Sequence, residues 1–265
     1  MNNDQPAIKI ENLTKFYHKH RGVESINLQV NRGEVFGYLG PNGAGKTTTI
    51  RTLLDFIRPT RGTAAIFGFD SRQDSAAARR RIGYLPGELS LYGELTGEEL
   101  LKYISHLRTG VDWNYVGELV KRLDCDLKRR LKTLSHGNRR KVGLIQALMH
   151  KPELLILDEP TNGLDPLMQQ QFHLLIDAVK KEGRTVFISS HIMPEVEKVC
   201  DRVGIIREGQ LIAVETIENL KARAVRRIEI YFASAVPPEI FQHIPGVGDV
   251  VVTGQILNCK TVGSL

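Results

Sequence analysis

The sequence has few cysteines and no long apolar run. Its 265 residues include only Cys125, Cys200 and Cys259, whose odd number and wide spacing fit neither a disulfide framework nor a metal site. Such sparse use is typical of a reducing, cytosolic setting. No apolar run approaches the roughly 20 residues that a membrane-spanning helix needs, and the N-terminal stretch MNNDQPAIKI has no signal-peptide core. We therefore expect a soluble chain, long enough for one large core or two modest ones.

Charge of either sign is not in large excess. Lysine and arginine outnumber aspartate and glutamate by 36 to 30, which gives a net charge of +6. Basic residues cluster at 79–81, 128–130 and 139–141. Each cluster could meet nucleic acid, anionic lipid or an acidic partner, but we favour the interpretation that they form solvated helix faces.

Alternating strand and helix patterns organise most of the chain. The β-rich runs AIKIENL, INLQV, EVFGYLG and TAAIFG occupy the first third, and a glycine loop leads into the helical run TTTIRTLLDFI. The pattern is helical over 96–149, with a capping box at Thr96 and a second helix cap at Asp112. Strands return at 154–159 and 185–190, on either side of a helix over 166–181. This order predicts an α/β fold with a parallel sheet and a helical insert.

The last part of the chain has a different pattern. The run RVGIIREGQLIAV predicts a hairpin about Glu208 and Gly209. Beyond Thr216 we expect a short helix and a β-rich tail formed by RRIEIYFASAV and GDVVVTGQILNC. We therefore predict one domain over 1–215, with its helical insert at about 96–149, and a small appendage over 216–265. The abrupt ending TVGSL suggests that the appendage is incomplete.

A phosphate-binding loop follows the strand EVFGYL. The segment GPNGAGKT matches the pattern G-x-x-x-x-G-K-S/T in its required position between a strand and a helix. Its glycines let main-chain N–H groups face a phosphate, and the helix N-terminus adds a favourable dipole. Lys46 would reach the β- and γ-phosphates, and the Thr47 hydroxyl would bind Mg²⁺. The predicted nucleotide-binding residues of this loop are Gly40, Pro41, Asn42, Gly43, Ala44, Gly45, Lys46, Thr47 and Thr48.

Two acidic residues end the buried strand of LLILDEP. Asp158, at the end of the strand, can hold the Mg²⁺ shell through water. Glu159 lies one residue further and can orient or deprotonate an attacking water. The alternative is a strand that ends in two solvated acids, which the upstream phosphate-binding loop makes the weaker interpretation.

The motifs together resemble those of ABC-type ATPases. GPNGAGKTT, LSHGN, LLILDEP, Asn162–Asp165 and His191 are similar to the Walker A, signature, Walker B, D-loop and switch-histidine motifs, in the family's order and over roughly residues 7–215. The resemblance implies a P-loop NTPase core with a parallel sheet, an N-terminal antiparallel β subdomain, a helical signature subdomain and a small C-terminal β-rich appendage. It also implies that two domains close head to tail around two ATP molecules.

The resemblance assigns roles to the residues of the signature and D-loop. Ser135, Gly137 and Asn138 would contact the nucleotide held by a second copy, with the positive end of their helix directed at its γ-phosphate. For Ser135 the alternative is an ordinary helix N-cap. Asp165 belongs to the same nucleotide-binding set.

Two further roles come from the resemblance. Tyr17 would stack on adenine, with Phe16 as the competing candidate and strand-end packing as the alternative. His191 would hydrogen-bond the γ-phosphate and position Glu159 and the water, although a lone histidine is often structural. Lys46, Glu159 and His191 are thus the expected catalytic residues.

The chain departs from the family pattern in two motifs. The usual signature reads LSGGQ, so His136 replaces a glycine and Asn138 replaces a glutamine, while Ser135 and Gly137 are kept. The strand RIGYLP is normally followed by a glutamine that senses Mg²⁺ and water, whereas Gly87 and Glu88 stand here. We expect activity to survive the changes in the signature motif. We do not assign the role of the missing glutamine to Glu88.

Three classes of function fit such a domain. The first is the motor subunit of a membrane transporter whose permease is a separate chain. The second is a soluble ABC ATPase of DNA repair or translation, which usually carries a long coiled coil or two tandem ATPase units. The third is a regulatory or scaffold protein without turnover, against which Glu159 and His191 argue. We favour the transporter subunit.

The stretches YLPGELSLY, LSHGNRRKVGLIQALM and LDEPTNGLDP are similar to those of multidrug or antibiotic exporter ATPases of the ABC-2 type. This resemblance implies ATP and Mg²⁺ as cofactors, a permease and a second ATP-binding subunit as partners, no nucleic-acid partner, and a place at the cytoplasmic face of the membrane. A groove around 87–99 would receive a coupling helix of the permease. Export is preferred to import by family analogy alone, and substrate selectivity would lie in the permease.

Overall fold

A computed structural model describes most of the chain. The described residues are 5–108, 110–223, 225–241, 244 and 247–262. The chain divides into two units, Met1–Val214 and Glu215–Leu265. The ending TVGSL, on which the prediction of an incomplete appendage depends, lies largely outside the described residues, which end at position 262.

The strands and helices up to Thr216 follow the predicted alternation. The strands are β1 (Ile8–Tyr17), β2 (His20–Val30), β3 (Val35–Leu39), β4 (Arg61–Ile66), β5 (Phe69–Asp70), β6 (Ile82–Leu85), β7 (Leu154–Asp158), β8 (Thr185–Ser190), β9 (Arg202–Arg207) and β10 (Gln210–Thr216). The helices are α1 (Lys46–Leu53), α2 (Ser75–Arg80), α3 (Gly97–His106), α4 (Trp113–Arg122), α5 (His136–Leu148), α6 (Pro166–Lys181) and α7 (Met193–Val199), with a 3₁₀ turn at Leu131–Thr133.

Two sheets form the first unit. One has the order β2-β1-β4-β5 and is antiparallel, as expected for the N-terminal subdomain. The other has the order β10-β9-β3-β8-β7-β6, in which β3, β6, β7, β8 and β9 pair in parallel. Every residue of β7 and β8 is buried, which explains their unbroken apolar runs. Because β3, β7 and β8 are parallel neighbours, their carboxyl ends meet at one edge of the sheet, and so do the polar residues that follow each strand.

The helical insert begins with the two predicted caps. The Thr96 hydroxyl accepts from the Glu99 N–H while the Glu99 carboxylate accepts from the Thr96 N–H, which is a complete capping box. Asp112 caps α4 by accepting from the Asn114 N–H. No described helix has both the length and the apolar character that crossing a membrane requires.

Helix α1 ends earlier than the run TTTIRTLLDFI predicts. The last helical residue is Leu53, and Asp55 takes a left-handed φ of 55°. The N–H groups of Phe56 and Ile57 turn back to the carbonyl of Arg51, a hydrogen-bonding pattern that closes helix C-termini. The apolar residues beyond Leu53 therefore belong to the turn and not to the helix.

The third basic cluster is not a solvated face. Arg140 is fully buried and Lys141 is 8% exposed, whereas the clusters at 79–81 and 128–130 are mostly exposed. The prediction for 139–141 was therefore wrong. The reason is that Arg140 lies on the side of α5 that faces main-chain carbonyls of other segments, which can take up its charge.

The second unit is small and consists mainly of strands. It contains α8 (Ile217–Arg223), β11 (Val225–Tyr231), β12 (Val247–Thr253) and β13 (Ile256–Val262), with a 3₁₀ turn at Pro238–Phe241. The strands form an antiparallel sheet of order β11-β13-β12. Leu257 and Cys259 are its buried residues on β13.

We expect the chain to lose stability in acid through His150, which follows α5. Burial, followed by the nearby Arg108 guanidinium, lowers the pKa of His150 from its usual 6.5 to about 4. The unfolded chain therefore binds a proton between pH 6.5 and pH 4 that the folded chain does not, and the free energy of unfolding falls as the pH falls through this window. Because the ring is partly exposed, we expect a loss of about 1–2 kcal/mol.

Urea denaturation at pH 7.5 and pH 5 measures this effect. The variant His150→Gln does not titrate, and its amide can still donate to the Ile82 carbonyl that lies 3.1 Å from His150 Nε2. Its stability should change less between the two pH values than that of the wild type. Equal acid sensitivity in both proteins would contradict the assignment.

Candidate nucleotide site

The phosphate-binding loop connects β3 to α1 and depends on its glycines. Gly45 has a φ of 107°, and a β-carbon there would lie 2.6 Å from the Val23 side chain. A β-carbon at Gly40 would lie 2.2 Å from the Ile206 carbonyl oxygen. Both positions therefore exclude larger residues. Without side chains there, the main chain of the loop stays accessible near the start of α1.

Lys46 is the first residue of α1 and is 6% exposed. Its ammonium donates to the carbonyls of Gly40 and Pro41 at 2.6 and 3.2 Å. Its Nζ also lies 3.1 Å from Glu159 Oε1 as an ion pair. The loop carbonyls and one carboxylate thus hold the only charge of the motif at its centre.

A cavity of about 350 Å³ lies against the loop. Tyr17, at the end of β1, forms part of its wall, and Phe16 does not. Arg21 also lines the cavity and pairs with Glu24 at 3.1 Å. Sequence reasoning missed Arg21, since a single arginine near the start of β2 carries no motif.

The residues predicted to hold a metal lie side by side. Asp158 is 1% exposed, and its Oδ2 accepts from the Thr47 hydroxyl at 2.9 Å. Its Oδ1 accepts from the Ser189 hydroxyl at 2.5 Å. A hydroxyl and a carboxylate next to a phosphate-binding loop are the oxygen ligands that Mg²⁺ takes together with phosphates, so these residues fit the ion. Ser189 was missed, although it stands two residues before His191 in the run SSH.

Glu159 is held in a strained conformation. Its φ is 50°, a left-handed value that is uncommon for a residue with a side chain. Its N–H donates to the carbonyl and the hydroxyl of Ser189 at 3.2 and 3.1 Å. Its Oε2 lies 2.8 Å from His191 Nδ1. The structure thus brings together Lys46, Glu159 and His191, the three residues predicted to be catalytic.

A second carboxylate joins the loops that follow β7 and β8. Glu195 Oε2 accepts from the Thr161 hydroxyl at 2.7 Å and from the Ser190 hydroxyl at 3.0 Å. The Ser190 hydroxyl in turn accepts from the Ile192 N–H at 3.0 Å. The loop that carries Glu159 is therefore tied to the loop that carries His191. No sequence motif pointed to Glu195.

The signature residues and Asp165 lie outside the wall of this cavity. Ser135 is the N-cap of α5 and accepts from the Asn138 N–H at 3.2 Å. Asp165 is the N-cap of α6 and accepts from the Met168 N–H at 2.9 Å. The exposed His136 ring lies against Gly163, where a β-carbon would approach within 2.5 Å of Nδ1. Within one chain, Ser135 and Asp165 thus serve as helix caps.

The loop after β6 approaches the carboxylate of Asp158, which is predicted to hold a metal. A β-carbon at Gly87 would lie 3.3 Å from Asp158 Oδ2, so the main chain of Gly87 packs beside Asp158. Glu88 is exposed. Gly87 therefore brings main chain and no side chain next to Asp158.

Known proteins share both the sequence and the fold. The profile of the ABC transporter family matches residues 23–162. The chain is 42% identical over 228 residues to the bacitracin transport ATP-binding protein BcrA of Bacillus licheniformis, covering 84% of this chain and 74% of that one. It is 39% identical over 228 residues to the linearmycin resistance ATP-binding protein LnrL of Bacillus subtilis, covering 82% and 71%. A solved structure of the ATP-binding subunit of an ABC transporter is similar with a TM-score of 0.74 and 30% identity, covering 81% and 92%.

Proposed function

The chain belongs to the ABC transporter family as an ATP-binding and hydrolysing subunit, and from this membership we propose that it powers the export of antibiotics through a separate membrane permease. The observation that carries the proposal is the cluster of Lys46, Glu159 and His191 beside the Thr47–Asp158 pair. This cluster combines a phosphate-binding cation, a base and a metal-binding pair. The cluster fits a subunit that hydrolyses ATP better than a scaffold protein without turnover.

We propose the following roles in hydrolysis. Thr47 and Asp158 would hold Mg²⁺, which would neutralise charge on the β- and γ-phosphates. The Lys46 ammonium would give up its hydrogen bonds to the loop carbonyls and bind the same phosphates. Glu159 orients the attacking water and takes its proton, while His191 holds the other carboxylate oxygen at 2.8 Å. Tyr17 offers a flat face to the purine.

A second copy of the chain completes the site in this proposal. Ser135, Gly137, Asn138 and Asp165 lie outside the cavity of their own chain, yet Ser135 opens a helix of 13 residues whose N-terminus suits a phosphate. In a head-to-tail dimer these residues would face the nucleotide of the partner. ATP binding would then favour closure, and hydrolysis would favour reopening.

The substrate class is inferred from the relatives. BcrA is named for bacitracin transport and LnrL for linearmycin resistance. Bacitracin and linearmycin are both antibiotics. We infer an antibiotic as the substrate, with its selectivity determined by the permease. Binding to the permease would hold the chain at the cytoplasmic face of the membrane. A soluble role in DNA repair or translation is not favoured, since the described helices of the insert have 10 to 13 residues and form no long coiled coil.

Purification of the tagged chain from membranes dissolved in mild detergent tests this proposal. We expect a polytopic membrane protein to co-purify in stoichiometric amount, because the transporter needs a permease. A strain that expresses the tag alone is the control. Recovery of only ribosomal or DNA-associated proteins would support the soluble alternative and overturn the transporter assignment.

A further inference from the structure

Arg140 is the largest fully buried side chain of the described residues. It lies on α5, five residues after Ser135. Its guanidinium donates to five main-chain carbonyls. They are the carbonyls of Gly87 at 2.7 Å, Asp158 at 2.8 Å, Pro160 at 3.2 Å and Pro86 at 3.4 Å, together with that of Glu159.

Burial of a cation costs free energy, which the hydrogen bonds to these carbonyls must offset. Removing a guanidinium from water costs several kcal/mol unless its donors are satisfied. Desolvation lowers the pKa of Arg140, while Asp158 and Glu159 act in the opposite direction. The planar guanidinium presents five N–H donors on three nitrogens, which suits several carbonyls at fixed angles, whereas an ammonium donates from a single nitrogen.

The carbonyls that Arg140 binds belong to the hydrolysis site. Two lie in the loop after β6, where Gly87 packs beside Asp158. The other three belong to successive residues at the end of β7, with Glu159 in the middle. Ser189 holds the N–H of Glu159, and Arg140 holds its carbonyl. These hydrogen bonds hold the main chain of Glu159 on both sides at a φ of 50°, a conformation that costs a non-glycine residue about 1–3 kcal/mol.

We propose that Arg140 is a positioning residue for hydrolysis, which holds the strained main chain of Glu159 and thereby aims its carboxylate. The same guanidinium ties the Pro86–Gly87 loop to Glu159, so that a movement of this loop changes the aim of the carboxylate. The inference rests on the proposed role of Glu159 as the base. Arg140 itself does not line the cavity at the phosphate-binding loop.

Replacing the guanidinium of Arg140 should therefore lower the rate of ATP hydrolysis and leave ATP binding intact. For Arg140→Lys we expect kcat to fall about 10- to 100-fold, since a misplacement of about 1 Å can cost about 100-fold. The dissociation constant for ATP should change less than about threefold, because Lys46 and the loop are untouched. Arg140→Gln keeps two N–H donors and should recover part of kcat. It also serves as the test protein if the lysine variant does not fold.

Arg184→Lys is the matched control for loss of a buried arginine. Arg184 is 8% exposed and donates to the Pro152 carbonyl at 2.8 Å, but it precedes β8 at the opposite edge of the sheet from Glu159. Thermal unfolding should show a loss of stability in this variant, with kcat per folded molecule unchanged. An equal fall of kcat per folded molecule in both variants would mean that Arg140 acts as any buried arginine does, and would overturn its role as a positioning residue.

A double-mutant cycle with Glu159→Gln tests whether Arg140 acts through Glu159. Single-turnover hydrolysis of radiolabelled ATP should show that Arg140→Lys has no further effect once Glu159 is glutamine. A full effect in that background, or wild-type kcat in Arg140→Lys, would overturn the inference alone. Normal hydrolysis in Glu159→Gln itself would instead refute the proposed function of Glu159.

Discussion

Glu159→Gln is expected to lower ATP hydrolysis about 100- to 10,000-fold, the range that a general base contributes. The amide has the same size as the carboxylate but cannot take a proton from water. The side chain can still reach Lys46 and His191, which lie 3.1 and 2.8 Å from its two oxygens in the wild type. ATP should therefore still bind. Phosphate release at saturating ATP and Mg²⁺ measures the loss.

The same variant should accumulate as an ATP-bound dimer. If Ser135, Gly137 and Asn138 of one copy complete the site of the other, blocked hydrolysis leaves no step that reopens the pair. Size-exclusion chromatography with light scattering should then show a dimer with ATP and Mg²⁺ and a monomer without nucleotide. A variant that stayed monomeric under saturating ATP would contradict the shared site.

Glu153→Gln is the control for these experiments. Glu153 directly precedes β7, whereas Glu159 directly follows it, so the two acids stand at opposite edges of the same sheet. Glu153 is half exposed and pairs with Arg81 at 2.5 Å. Its replacement should leave hydrolysis and dimer formation unchanged. A similar loss in both variants would indicate a general effect of charge.

The parallel sheet and its motifs could be predicted from the sequence because their signals are local. The strand TVFISS and the helix 166–181 have the predicted bounds, since fully buried strands are unbroken apolar runs and Asp165 with Pro166 marks a helix start. The caps at Thr96 and Asp112 were confirmed for the same reason. The phosphate-binding loop could be predicted because the pattern G-x-x-x-x-G-K-S/T specifies where its glycines must stand.

Residues that act across distant segments could not be predicted in this way. Arg140 stands in a basic run, and only the fold shows that carbonyls from 86–87 and 158–160 surround its guanidinium. Glu195 binds Thr161, which lies 34 positions away along the chain. Both contacts depend on how the ends of parallel strands meet, which no short motif records.

Lys46→Ala is expected to weaken ATP binding by at least about 100-fold. The ammonium is 6% exposed and is the charge that the loop holds at its centre, so its loss removes an attraction to the phosphates that water screens little. The change also leaves Glu159 Oε1 without the cation at 3.1 Å, and the carboxylate would then repel the triphosphate. Titration with a fluorescent ATP analogue measures the affinity.

Lys141→Ala separates this effect from the loss of any buried lysine. Lys141 is 8% exposed, and its ammonium donates to the Asp124 carbonyl at 2.9 Å, outside the cavity. We expect Lys141→Ala to lower the melting temperature and to keep the affinity for ATP, whereas Lys46→Ala should fold and lose that affinity. Because the two lysines are buried to the same degree, a difference in binding reflects what each ammonium faces. Equal affinity in the two variants would refute the role of Lys46 in phosphate binding.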